Sequence, residues 1–173
     1  INNVFHLLGG HKFMGRYNPM GHPSFTQEYT NQIRRFTIDK NGMELQIQHL
    51  TPFTDTTHLH RRDLNAEPQI LPDGTEGITM FSGVFQKTAD LPFLNSITVD
   101  SDDYLVNKDF KQVYNHYHCA SIPIYSSEKN EMHTVFFGGI AQYYHDSTGT
   151  FLQDDEVPFV KTIARVTRNS EGK

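Results

Sequence analysis

Val135-Phe-Phe-Gly-Gly-Ile140 is an apolar strand running into a glycine pair, and the chain says nearly the same thing twice more. Phe5-His-Leu-Leu-Gly-Gly10 repeats it, and Thr79-Met-Phe-Ser-Gly-Val84 repeats it with Ser in place of the first Gly. After a polar excursion each copy meets a second strand, beginning Asn31-Gln-Ile, Asn95-Ser-Ile or Lys161-Thr-Ile. The last two agree further, as Leu91-Pro-Phe-Leu-Asn-Ser-Ile97 against Val157-Pro-Phe-Val-Lys-Thr-Ile163. A β unit repeated at such intervals points to a propeller or another repeat architecture.

The rest of the chain reads the same way. No long segment carries apolar residues at helical spacing. Strands are expected at Val4–Leu8, Gln32–Ile38, Met43–Leu50, Ile78–Ser82, Ser96–Val99, Ala120–Tyr125, Met132–Phe137 and Thr162–Thr167. Many alternate, as in Met43-Glu-Leu-Gln-Ile-Gln, which suits a strand with one buried face. Asp39-Lys-Asn-Gly42, Pro72-Asp-Gly74 and Ser126-Ser-Glu-Lys-Asn130 have the residues of tight connections.

Spacing sets the size of the unit. Gly83 and Gly139 lie 56 residues apart, and Gly10 and Gly83 lie 73 apart. Four short strands with loops fill about 40–55 residues, the size of one propeller blade. In the second unit an inner strand is expected near His60, then the Gly-ending strand, Ser96–Val99, and an outer strand near Tyr104 to Val106. The third unit starts near His116, and the first begins at its Gly-ending strand. The expected fold is therefore all-β. It is a partial propeller of about two and a half to three four-stranded blades, divided at 1–52, 53–108 and 109–173, the third lacking its outer strand. A ring needs about four to eight blades to hide its strand edges, so missing sequence or other chains would complete it. A β-sandwich or barrel is the alternative for this strand count.

Arg62-Asp-Leu-Asn-Ala-Glu before Ile78-Thr-Met-Phe-Ser-Gly83, and His118-Cys-Ala-Ser-Ile-Pro-Ile-Tyr125 before Met132-His-Thr-Val-Phe-Phe-Gly-Gly139, carry a family likeness. An inner-strand cation or His about 21 residues ahead of a glycine pair resembles the kelch repeat, although the Trp usual in a kelch blade is absent from this chain. Gly15-Arg-Tyr-Asn-Pro-Met20, Leu59-His-Arg-Arg-Asp63 and Pro72-Asp-Gly-Thr-Glu-Gly77 are similar to phrases in exported Bacteroidota proteins built of kelch-like blades. That resemblance implies the fold and a secreted or cell-surface location in a bacterium. It implies no reaction.

Composition narrows the partners. With 36% hydrophobic and 20% charged residues among 173, the chain is ordinary for a packed domain. Thirteen Phe and eight Tyr favour strands. A net charge of −5 and the lack of a basic run argue against nucleic acid, with Arg34-Arg35 and Arg61-Arg62 read as solvated strand edges. No apolar run approaches the roughly 18–20 residues of a membrane span. Cys119 stands alone, so no intrachain disulfide forms, and a buried structural thiol is expected.

Ten histidines raise the question of a metal. His58 with His60, and His116 with His118, are spaced to share a strand face, and His60 and His116 each lie 23 residues before the strand-ending Gly. Two such pairs at a central channel would make an N-donor site for zinc or copper; the preferred reading is structural histidines that bond loop carbonyls. Asp102-Asp103 and Asp154-Asp155-Glu156 lack calcium-loop spacing and read as turns. There is no G-x-S-x-G elbow, and the glycine pairs open no helix that would cradle phosphate. They read as points of close backbone approach. No cofactor is implied.

Gly10 to Phe25 reads as a long irregular loop rich in aromatic and cationic residues, the type of segment that carries function. With Tyr143-Tyr144-His145 in the matching position of the third unit, it would form an aromatic rim. The candidate ligand-binding residues are His11, Arg16, Tyr17, His60, Arg62, His116, His118, Tyr143 and Tyr144. The expected function is a binding or assembly module that engages a protein or glycan through these loops. The alternative is a propeller enzyme that acts on a sugar, or oxidises a small substrate, with a metal or acid/base site at the channel.

Overall fold

In the computed structural model, which describes residues 1–17, 21 and 24–173, the chain is all-β. Asn18, Pro19, Met20, His22 and Pro23 lie outside the described residues, and with them part of the 10–25 segment and of the Gly15 to Met20 phrase. The strands are β1 (Phe5–Leu8), β2 (His11–Gly15), β3 (Phe25–Tyr29), β4 (Gln32–Asn41), β5 (Glu44–Thr54), β6 (Asn65–Ile70) and β7 (Glu76–Phe81). They continue as β8 (Ser96–Val99), β9 (Tyr104–Asn107), β10 (Ala120–Ser126), β11 (Glu131–Ile140), β12 (Tyr143–His145), β13 (Phe151–Gln153) and β14 (Phe159–Arg168).

Every strand pairing is antiparallel, and three sheets dominate, ordered β1-β4-β5, β6-β7-β8-β9 and β10-β11-β14. The hairpins β2–β3 and β12–β13 are separate two-stranded ribbons. The connections Asn41 to Glu44, Leu71 to Thr75 and Ser126 to Glu131 join paired strands, where the turn residues place them. In β14 the pattern Phe-x-x-x-Ile-x-Arg on one face against Val-x-Thr-x-Ala-x-Val on the other gives strict alternation of exposure.

The four-stranded sheet sits between the other two. One of its faces meets the first sheet in the main core, where Ile33, Leu59, Met80, Ile97 and Val99 are fully buried under Leu8, Phe53 and Val106. Its other face meets the third sheet, with Phe81 edge-on to Phe136 at 5.2 Å and Gln69 Nε2 donating to Thr134 Oγ1 at 3.2 Å. The outward faces of the flanking sheets are apolar and open. Phe5, Leu7, Leu45 and Ile47 stand exposed on the first, and Ile122, Ile124, Phe137 and Ile163 on the third.

The glycine pairs fix the repeat in three dimensions. Gly9 and Gly10, Ser82 and Gly83, and Gly138 and Gly139 all have positive φ, so the backbone turns the same way at all three places. At Gly139 a Cβ would stand 2.6 Å from the Tyr117 carbonyl oxygen, and at Gly9 2.7 Å from that of Arg61. In β11 the strand does not end at the pair: it continues to Ile140 through a shift of register between Phe137 and Gly139.

Three expectations change. The segment from Gly10 to Phe25 contains strand, because β2 pairs with β3 through His11↔Tyr29 and Gly15↔Phe25. The inner strands start at Asn65 and Ala120, later than His60 and His116. Ahead of each, a single bridge (Arg62↔Val84, Tyr117↔Ile140) is followed by a residue at positive φ, Asp63 or His118, that kinks the chain before the strand begins. These bridges align His116 with Arg61 rather than with His60. The match of Ile97 to Ile163 also slips: Ile163 pairs with Phe137, whereas Ile97 pairs with Met80, one residue short of Phe81. That slip turns Ile97 to the opposite face, into the main core.

Arg61 is the largest correction. It is no solvated edge but fully buried, with Nε donating to the His58 carbonyl at 2.6 Å and Nη1 to the Ser82 carbonyl at 2.9 Å. Nη2 donates to Asn95 Oδ1 at 2.9 Å, and the guanidinium carbon lies 3.8 Å from the centre of the Phe93 ring. Burial pushes its pKa down to about 9, with Asp55 opposing the shift, so it stays charged at neutral pH. The other arginine pair is also divided: Arg34 is exposed, while Arg35 is half-buried over Phe53 at 4.4 Å.

Gly139→Ala should cost about 3 kcal/mol in urea unfolding, from the left-handed backbone plus the collision with Tyr117. Gly149→Ala, at φ 84 but with open space around the site, should cost only about 1 kcal/mol. Equal losses would remove close approach as the reason for the repeated glycines. Arg61→Met should cost about 3–5 kcal/mol, since four acceptor contacts to three residues lose their donor in a dry site.

Candidate functional site

Each glycine pair lies at or next to the point where the chain leaves its sheet for the connection to the following strand of that sheet. In the first sheet this connection is β2–β3, in the third it is β12–β13, and in the second it is a shorter excursion with one bridge, Gln86↔Ala89. The recognition candidates sit on these ribbons and at their feet.

Alternation along β2 and β3 gathers His11, Phe13, Phe25 and Tyr29 on one face, because His11 pairs with Tyr29 and Gly15 with Phe25. Phe13 stacks on Phe25 at 5.2 Å, Tyr17 tilts against Phe25 at 5.9 Å, and His11 lies 5.8 Å from Tyr29. Tyr29 in turn stacks on His60 at 3.9 Å with the planes 19° apart. The result is one continuous aromatic ladder from Tyr17 to His60. His60 Nδ1 lies 3.2 Å from the Phe85 carbonyl oxygen, and the Arg62 guanidinium lies over the Phe85 ring at 5.0 Å. Arg62 also reaches Asp63 at 3.9 Å. Arg16 is exposed beside Tyr17, its N–H donating to the Ser24 carbonyl at 3.0 Å.

A second ladder stands on β12–β13. His145 pairs with Phe151 and Tyr143 with Gln153, so Tyr143, His145 and Phe151 share a face. Tyr143 stacks on Phe151 at 5.9 Å with an angle of 11°, and the Tyr114 hydroxyl lies 2.8 Å from His145 Nδ1. Tyr144 points to the other face, toward Asp154 Oδ2 at 3.5 Å. The three residues expected in the rim thus divide between two faces, and Phe151 and Tyr114 join the ladder from outside that triplet. Tyr143 works with His145, Phe151 and Tyr114, and the spacing Tyr143-x-His145 was the signal available.

The two H-x-H motifs do not present paired imidazoles. His58 lies in a turn, with Nδ1 2.8 Å from Asp55 Oδ2, while His60 turns to Tyr29. His116 is fully buried, whereas His118, at φ 53, is exposed and gives its backbone N–H to the Asp63 carbonyl at 3.2 Å. Neither pair is on a regular strand, so the i, i+2 rule does not apply. Among the described residues no three His, Cys, Asp or Glu side chains gather as a metal site. Cys119 is half-buried, its Sγ 3.1 Å from Asn65 Nδ2, and burial pushes the thiol pKa up. Tyr117, at the foot of the rim, is pushed up to about 12 by burial and by Asp63.

His116 has the most constrained environment of the candidates. Neither ring nitrogen has a partner, and Asn115 Nδ2 and Gln112 Oε1 close by in sequence are also buried without one. Burial lowers its pKa from 6.5, favouring the neutral ring. The folded state then binds fewer protons than the unfolded chain as pH falls through about 6.5, so stability is present above that value and lost below it. Urea midpoints should fall between pH 7.5 and pH 5.5, and His116→Leu should remove a large part of that slope. His6, whose pKa burial also lowers, acts in the same direction. An unchanged slope in the variant would place the titration elsewhere. Compared with known protein families, curated proteins and solved structures, the chain finds no match.

Proposed function

We propose that this chain is a binding and assembly module, three consecutive blades of a kelch-like β-propeller, which engages a protein or glycan through the aromatic ladders of its inter-strand ribbons. One observation carries the reading: the same connection, launched by the same left-handed glycine pair, bears an aromatic ladder in both the first and the third sheet. Stacked rings with open faces suit sugar rings and aromatic side chains. Arg16 and Arg62 add donors beside the first ladder. In the enzyme alternative the channel histidines would carry the chemistry, but His60 is occupied by Tyr29 and His116 is sealed, which favours binding.

The apolar outward faces support the assembly half of the proposal. Large exposed apolar patches mark interaction surfaces. Further blades, from the rest of a longer chain or from other chains, would cover them as the central sheet is covered. Arg34 and Lys40 accompany the apolar residues on the first face, and Lys161 and Arg165 on the third, so covering sheets with carboxylates are the better fit. A secreted or cell-surface setting in a bacterium rests on the family resemblance.

An oligosaccharide and peptide array with the purified chain should reveal a ligand. Phe13→Ser and Tyr143→Ser should each weaken it at least tenfold, about 1.4 kcal/mol, with unchanged thermal midpoints. Retained affinity in both variants would rule out the ladders. Native mass spectrometry at micromolar concentration should show association through the outward faces, and Ile47→Glu or Ile163→Glu should abolish it. A strict monomer would sink the assembly role.

A further inference from the structure

The interface between the central and third sheets is not closed. Where the opposite face of the central sheet packs tightly in the main core, this one is built of short hydroxyl side chains, Thr79, Thr98 and Ser96, and a cleft of about 260 Å³ remains against the third sheet. Protein interiors normally leave few voids larger than a water molecule. Ligand pockets run from roughly 300 Å³ upward, so this cleft is sized for a compact molecule. Leu105, Phe110, Met132 and Val166 give it apolar walls, and Leu105 is 68% exposed. Gln69 and Thr134 bond each other, and Thr79 and Thr98 lie 3.5 Å apart, so these polar groups are largely satisfied within the wall.

Arg168 is the exception. It lines the cleft from β14, and its two bonded nitrogens donate to backbone carbonyls only, Nη1 to Asn169 at 3.1 Å and Nη2 to Ile70. Its Nε is buried without an acceptor. Among the described residues no carboxylate forms an ion pair with it. Asp73 acts on it only at longer range and bonds Thr75. Asp100, the acidic residue that also lines the cleft, accepts the backbone N–H groups of Asp102 and Asp103 at 2.8 and 2.7 Å. A cation beside apolar walls, with its charge unmatched, fits one class of small molecule.

We propose that the cleft between the central and third sheets binds a small monocarboxylic acid, its compact apolar body between Leu105, Met132 and Val166 and its carboxylate on Arg168. This site is separate from the aromatic rim and does not depend on it.

Titration of the full chain with phenylacetate and hexanoate, followed by backbone amide NMR shifts, tests the site. Shifts should map to Thr98, Leu105 and Val166, and phenylacetate should bind at least tenfold tighter than phenylacetamide. Arg168→Gln should abolish that preference and Arg168→Lys retain it in part. Because Arg168 also ties β14 to Ile70, Leu105→Glu serves as a second variant: exposed and structurally tolerant, it should repel the acid at least tenfold and leave the amide unchanged. Equal binding of acid and amide, an acid preference that survives Arg168→Gln or Leu105→Glu, or no shift at the cleft at about 10 mM ligand would each overturn the proposal.

Discussion

The buried guanidinium of Arg61 is the constraint on which the arrangement of sheets depends. A charge enters a dry interior only when its donors are used, and here they are met by carbonyls and one amide oxygen rather than by a carboxylate. Those acceptors belong to the turn before β6, the end of β7 and the entry to β8. Arg61 thus joins the parts of the central meander that its own ladder bonds do not reach. Its backbone carbonyl accepts the N–H of Gly10 at 2.9 Å, so the same residue fastens the first sheet to the second.

The other sheet pair uses different means. At the position that the backbone bridges make equivalent to Arg61, the third unit has His116, equally buried but with no partner for its ring. Ser82 Oγ instead donates to the Asn115 carbonyl at 2.9 Å, and Gln142 N–H to Asn115 Oδ1 at 3.0 Å. One joint is held by a fixed charge and the other by neutral hydrogen bonds around a titratable ring. The second joint therefore has a buried ring that acid would charge at its centre, and it is also the one whose sheets leave a cleft between them.

Much of this was legible in the chain. Alternation placed β4, β5, β8, β10, β11 and β14 to within a few residues, and the turn residues marked their connections. The repeated glycine pairs were visible because a left-handed backbone in close approach to another segment favours a residue without a side chain. What stayed hidden depends on distant partners. Arg61-Arg62 looks the same in sequence whether solvated or buried, and only Ser82 and Asn95 decide it. β12 and β13 have three residues each, too short to show a period. His116 and His118 obey strand spacing on paper, yet the positive φ of His118 sends them to different environments. The slip between Ile97 and Ile163 escapes any alignment by similarity, because both residues are apolar and only pairing separates them.

The glycine pairs have a consequence for how such a chain can change over time. They mark the neighbourhood in which backbone leaves the sheet and say nothing about what lies beyond it. In the first and third units that excursion is a paired ribbon, and in the second a shorter turn, while the strands on either side keep the same antiparallel order. Insertions, deletions and substitutions in the ribbons are thus insulated from the core, and mutation can explore new recognition surfaces without putting the scaffold at risk.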